Sequence, residues 1–162
     1  MSARTAAIMS MSAAADSDQN DERPRSDSGA VFLRPHHVIC AIGWQGHGYS
    51  PEFTRNMDRI VVQRLRADPT TEVVFTAGAD AICGPCPSRR GAGCEMQAKI
   101  DGLDARHAEA LEIVPAQRMT WDEAQGRATR LEPDDLDRIC SGCRWLEYGM
   151  CKAALARLRA DQ

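Results

Sequence analysis

Cys83-Gly84-Pro85-Cys86, followed after seven residues by Cys94, and Cys140-Ser141-Gly142-Cys143, followed after seven residues by Cys151, are the stretches on which the reading of this chain turns. Both are Cys-x2-Cys-x7-Cys. Two thiols in a Cys-x2-Cys turn can face one metal, and a third, returning from a short loop, closes the same site from another side. Soft thiolates grouped this way select zinc or iron–sulfur clusters. One such triad could arise by chance. The same spacing twice, using six of the seven cysteines, points to a metal centre. It does not say what the centre is for.

The segments flanking the triads read as a mixture of helix and strand. Glu72-Val73-Val74-Phe75-Thr76 is a buried strand running through Asp80 into the first triad. Pro87, Gly91 and Gly93 make the residues after Cys86 a loop, in which Arg89 and Arg90 can face a negatively charged centre or simply be solvated. A helix from Glu95 to about Ala110 presents Met96, Ile100, Leu103 and His107 on one face, with His107 as a core residue. Leu111 to Val114 reads as a second short strand closed by Pro115. Thr120-x-x-Glu123 is a capping box opening a helix to about Arg130. Glu132-Pro133-Asp134-Asp135 opens a short helix that delivers Cys140. Trp145 and Tyr148 are placed to wall the centre from solvent, and the last helix buries Ala154, Leu155 and Leu158.

Upstream, Val31 to Cys40 is an extended segment leading into a short helix. His36 and Cys40 are four apart and share a helical face, which is metal-ligand spacing; His37 stands beside them. The alternative is a buried Cys40 with two histidines bonded to backbone. Gly43 to Tyr49 is a glycine-rich loop without the dinucleotide-binding spacing. Ser50-Pro51 starts a helix whose apolar stripe is Phe53, Met57, Ile60, Val61 and Leu65, ended by Asp68-Pro69. Residues 1–30 are rich in Ser, Ala, Asp and Arg and read as a disordered tail, leaving 31–162 as the cysteine-rich metal-binding domain. The expected fold is α+β: a compact, helix-dominated single domain with a small sheet and a cysteine-ligated metal centre.

The 162 residues are 43% hydrophobic but only 5% aromatic, so a bound metal can supply stability that few large rings provide. A formal charge of −3 and the absence of a basic helix argue against nucleic-acid binding. No apolar run reaches membrane-spanning length and no secretory signal opens the chain, so the expected location is cytoplasmic. In a reducing compartment these spacings mean metal or redox chemistry rather than disulfides. The oligomeric state stays open.

Three chemistries compete for the cysteines. Cys83-Gly-Pro-Cys86 is also a thioredoxin-type dithiol motif, but that motif opens a helix, whereas a loop follows here, and it leaves the repeat at Cys140 unexplained. Two structural zinc sites need eight ligands, which the six triad cysteines, Cys40 and either His36 or His37 would supply. Three cysteines and one remote ligand could instead hold a [4Fe–4S] cluster.

The runs Arg34-Pro35-His36-His37-x-x-Cys40, Gly48-Tyr49-Ser50-Pro51-Glu52-Phe53, Cys83-x-Pro-Cys86-Pro87 and Cys143-Arg144-Trp145-Leu146-x-x-Gly149-x-Cys151 together resemble the domain-of-unknown-function family 1284, over about Phe32 to Leu158. That family is associated with iron–sulfur binding and has no assigned role. The resemblance implies iron over zinc, with all seven cysteines, His36 and His37 on motif positions. The expected function is a [4Fe–4S] protein in electron transfer or an accessory role, with a redox partner protein. The alternatives are a zinc-stabilised binding module and an enzyme using an open cluster position. For an enzyme, Arg34, His37, His47 and Glu52 are the polar candidates.

Overall fold

The computed structural model describes residues 29–162. The expected tail lies almost wholly outside the described residues. Among the described residues three short strands, at Val31–Leu33, Glu72–Phe75 and Arg118–Thr120, form the main sheet in that order, and two more form a separate hairpin. β1 (Val31–Leu33) pairs parallel with β2 (Glu72–Phe75), in the register Val31 to Val73 and Leu33 to Phe75. Alternation in β1 turns Val31 and Leu33 inward and leaves Phe32 outside. Central β2 is apolar over Val73, Val74 and Phe75, all buried.

The parallel β1–β2 connection requires a crossover, which the chain fills with two helices. α1 (His37–Gly43) is short. α2 (Pro51–Met57) begins as the sequence predicts, with the Ser50 hydroxyl accepting from Phe53 N and Pro51 at the first helical position. It continues into a π-helical stretch over Asp58–Arg66, and the predicted stripe of Phe53, Met57, Ile60, Val61 and Leu65 is buried. The end of that stretch fixes α1. Arg66 Nη2 donates to the carbonyls of Ala41 at 2.9 Å and Trp44 at 2.8 Å, where helix carbonyls lack partners of their own.

After β2 come the hairpin strands β3 (Arg89–Arg90) and β4 (Gly93–Cys94), then α3 (Gln97–Ala110). The loop expected between Cys86 and Cys94 is therefore a paired hairpin. Met96, expected on the buried face, is half exposed because the helix begins one residue after it. The strand expected at Leu111 to Val114 does not form. Those residues end α3 instead: Glu112 takes a left-handed φ of 53°, Ile113 N donates to Ala108 O, and Glu112 N donates to Glu109 O. This is a Schellman motif, and the apolar Ile113 belongs to the helix stop rather than to a sheet. The third strand is β5 (Arg118–Thr120), antiparallel to β2.

α4 (Trp121–Ala128) opens on the predicted capping box, with Thr120 and Glu123 bonded reciprocally. α5 (Asp135–Ile139) delivers Cys140, and α6 (Met150–Ala160) carries Cys151 in its first turn. Ala154 and Leu155 are buried as expected, and Leu158 is half-buried. One apolar core joins residues from β1 to α6. The architecture is α+β and helix-rich. Among the described residues no helix is long and apolar enough to cross a membrane.

Candidate metal centre

α1 is the axis of the site. Its N-cap is His36, its first residue His37, its middle Cys40 and its last residue Gly43. The helix packs closely on α6, and Gly43 allows this: a Cβ at that position would lie 2.7 Å from Cys151 Sγ and 3.0 Å from Cys151 Cα. The missing side chain is what lets the Cys151 thiol reach α1. Each Cys-x2-Cys turn is closed by the same bond, Cys86 N to Cys83 O at 3.1 Å and Cys143 N to Cys140 O at 2.8 Å. In the second turn Gly142 adopts a φ of 82°, a conformation open to few other residues.

Six of the seven cysteines, Cys40, Cys83, Cys86, Cys94, Cys143 and Cys151, line one cavity of about 640 Å³ together with Arg34, His36, His37 and His47. Cys140 is buried behind it, with Sγ 3.4 Å from His107 Nε2. His107 Nδ1 lies 2.8 Å from Leu103 O. A carbonyl only accepts, so Nδ1 carries the ring proton and Nε2 accepts from the Cys140 thiol. His107 is the satisfied core residue expected from sequence, and it also buttresses a thiol. All seven cysteines are free.

Four of the cysteines act on one another, and a fifth answers to Asp80. Burial pushes the Cys40 thiol well above its ordinary range, and the neighbouring Cys151, Cys143, Cys140 and then Asp80 push it further. Cys140 is raised to about 12 by burial, then by Cys143 and Cys151; Cys151 is raised to about 11 by burial, then by Cys143. Negative charge on Cys143 would thus oppose ionisation of Cys40, Cys140 and Cys151 alike. Cys83 is raised to about 12 by burial, then by Asp80.

Two carboxylates organise the histidines, and neither was singled out in the sequence. Asp104 accepts from Arg34 Nε at 2.6 Å and lies 2.5 Å from His36 Nδ1. Arg34 is fully buried and also reaches Asp101 at 3.0 Å. Asp80 Oδ2 accepts from Arg34 N at 2.6 Å and lies 2.5 Å from His37 Nδ1, while Oδ1 accepts from Ile82 N and Cys83 N. Burial alone would raise the Asp80 carboxyl. The neighbouring His37 and these hydrogen bonds outweigh it and hold the group well below the usual carboxylate range. Burial lowers His36 to about 4, and His37 adds to this against the opposing pull of Asp104. A short Asp80-x-x-Cys83 spacing, with the side chain capping the following turn, was the available signal for Asp80. Asp104, sixty-eight residues from His36, had none.

An aromatic group closes the outer side. Trp145 Nε1 donates to Tyr49 OH at 2.8 Å, Tyr49 meets Phe53 edge-on at 5.1 Å, and Arg144 stands over the Tyr49 ring. Burial raises Tyr49 to about 12, opposed by the Trp145 bond; Cys40, Cys143 and Cys86 add to the rise. Tyr148 lies tilted against Trp145 at 5.7 Å but is 70% exposed, and Trp145 lines the cavity whereas Tyr148 does not. Of the polar candidates for catalysis, Arg34, His37 and His47 line the cavity, with Arg34 and His37 already tied to carboxylates. Glu52 is exposed and paired with Arg55 outside it. The helix required by the dithiol reading is absent after Cys86, where the hairpin stands.

The donor set fits a thiophilic metal. Free thiols gathered this closely, mutually repulsive once ionised, would need a cation to be held as thiolates. No curated protein and no solved structure matches the chain. A family match covers residues 48–149, well over half of the chain, taking in Cys83, Cys86, Cys94, Cys140 and Cys143 and leaving α1 and Cys151 outside it. The chain belongs to the family described as protein of unknown function (DUF1284).

Proposed function

We propose that this protein binds a [4Fe–4S] cluster through Cys40, Cys140, Cys143 and Cys151 and acts in electron transfer. The observation that supports the reading is the gathering of four free thiols from α1, the α5 end, the following turn and α6, Cys140 and Cys151 buried and Cys40 and Cys143 partly so, close enough for the charges of Cys140, Cys143 and Cys151 to act on Cys40. Four cysteines are the usual complement for such a cluster. When bound, the cluster supplies reversible one-electron transfer.

The chain's own residues then have definite parts. Gly43 admits Cys151 to the site. His107 holds the Cys140 side chain and is the nearest base to the proton that thiol must lose. Trp145, Tyr49 and Phe53 form an apolar screen that limits water at the centre, a factor that tunes cluster potential.

Metal and acid-labile sulfide analysis of protein purified without oxygen tests the reading. Iron and sulfide in equal amounts, brown colour and a reversible one-electron reduction are expected, with the iron of this centre lost in Cys143→Ser. Zinc alone would sink the cluster and leave the site as a structural zinc centre. A small molecule that perturbs the cluster spectrum and is turned over would replace the carrier role with an enzymatic one.

A further inference from the structure

We infer that the chain holds a second, separate metal centre, in which Cys83, Cys86 and Cys94 supply three thiolates and His37 supplies Nε2. This does not depend on what the first centre binds. The quartet takes four of seven cysteines, and the remaining three form a constructed set. Cys83 and Cys86 flank a turn closed by its own hydrogen bond. The β3–β4 hairpin then carries the chain out and back, placing Cys94 opposite Arg89. Arg89 N donates to Cys86 O at 3.0 Å and Glu95 N to Ser88 O at 2.8 Å, which stitches the hairpin to the turn. Cys94 N donates to Gln97 Oε1 at 2.8 Å. Cys83, Cys86, Cys94 and His37 line one cavity, which Cys40, Cys143 and Cys151 line as well.

The fourth ligand follows from Asp80. His37, Asp80 and Cys83 offer donor atoms within 4.8 Å of one another. Asp80 itself is a poor ligand, because both its oxygens are occupied: Oδ2 by Arg34 N and His37 Nδ1, Oδ1 by Ile82 N and Cys83 N. Its geometry is that of an outer partner. A metal-bound imidazole normally offers its second nitrogen to a carboxylate, which fixes the ring and raises its basicity. Here that carboxylate is the same one that shapes the Cys83 turn, so one residue aligns two ligands. Among the described residues nothing bonds His37 Nε2. His36 has the same kind of carboxylate partner, but Asp104 ties it to Arg34 and α3 rather than to the cysteine turn.

Three thiolates and one imidazole suit either zinc or an iron–sulfur cluster, and metal analysis separates the two. In the full chain purified without oxygen, iron, sulfide and zinc are counted per chain. About eight iron, or about four iron with one zinc, is the expected result. Cys94→Ser and His37→Ala should each lose the second centre's share and keep the first's, and Cys143→Ser should do the reverse. His36→Ala should keep both. Because these variants can fold poorly, His37→Cys is the companion: it should hold the full metal content with a shifted absorption spectrum. Two zinc and no iron would end the cluster reading of the first centre and leave the second centre standing. About four iron and no other metal in the unaltered chain, full metal content in Cys94→Ser, or loss in His36→Ala with retention in His37→Ala, would overturn the inference.

Discussion

Gly43 shows how little chemistry a decisive residue can carry. Replacing it with alanine puts a methyl group inside the contact distance of Cys151 Sγ and Cα, so α6 must move away from α1. We expect Gly43→Ala to cost about 1–3 kcal/mol in denaturant unfolding and to lower metal content at the proposed four-cysteine site. Asp104→Asn is a second test. It removes the charge that pairs with buried Arg34 and should cost about 3–5 kcal/mol, since the guanidinium stays buried with a weaker partner; urea unfolding measures it. At this scale the repeated cysteine spacing and the nearby histidines marked the residues that line the cavity. Arg34 was named only as a polar candidate, and its pairing with Asp104, like the close approach at Gly43, was not legible, because both arise from contacts between distant parts of the chain.

Among the elements, those governed by local rules matched their sequence reading. The Ser50-Pro51 helix start and the Thr120–Glu123 capping box need only a few adjacent residues. Where the outcome depended on pairing, the sequence was ambiguous. Leu111 to Val114 has the composition of a strand, yet the helix before it consumes Ile113 in its C-terminal cap, and the less apolar Arg118–Thr120 pairs with β2. Arg66 belongs to this scale too, because it ties the π-helical stretch to the end of α1. Arg66→Met should cost about 1–2 kcal/mol in chemical denaturation. It should also speed metal release to a chelator, since the helix bearing Cys40 loses its anchor.

For the whole molecule, the core and the candidate ligands share the same elements: α1, α5 and α6 contribute both. Metal removal should therefore act on global stability. Treating the metal-loaded protein with a strong chelator under reducing conditions should lower its melting temperature by several degrees, in line with a loss of a few kcal/mol. Calorimetry before and after treatment checks this. An unchanged transition would mean the ligands are held by packing alone.

α1 lies before both triads in the chain and beside both in space, and this imposes a timetable on biogenesis. As the polypeptide leaves the ribosome, His37 and Cys40 emerge early and must wait. With the ligands as proposed, the set ending at Cys94 is complete before Cys140, Cys143 and Cys151 have been made. The four-cysteine set cannot close until Cys151 has been synthesised. Metal delivery would then come in two installments, the first open to a chain grown past Cys94 and the second held back until Cys151 has been added.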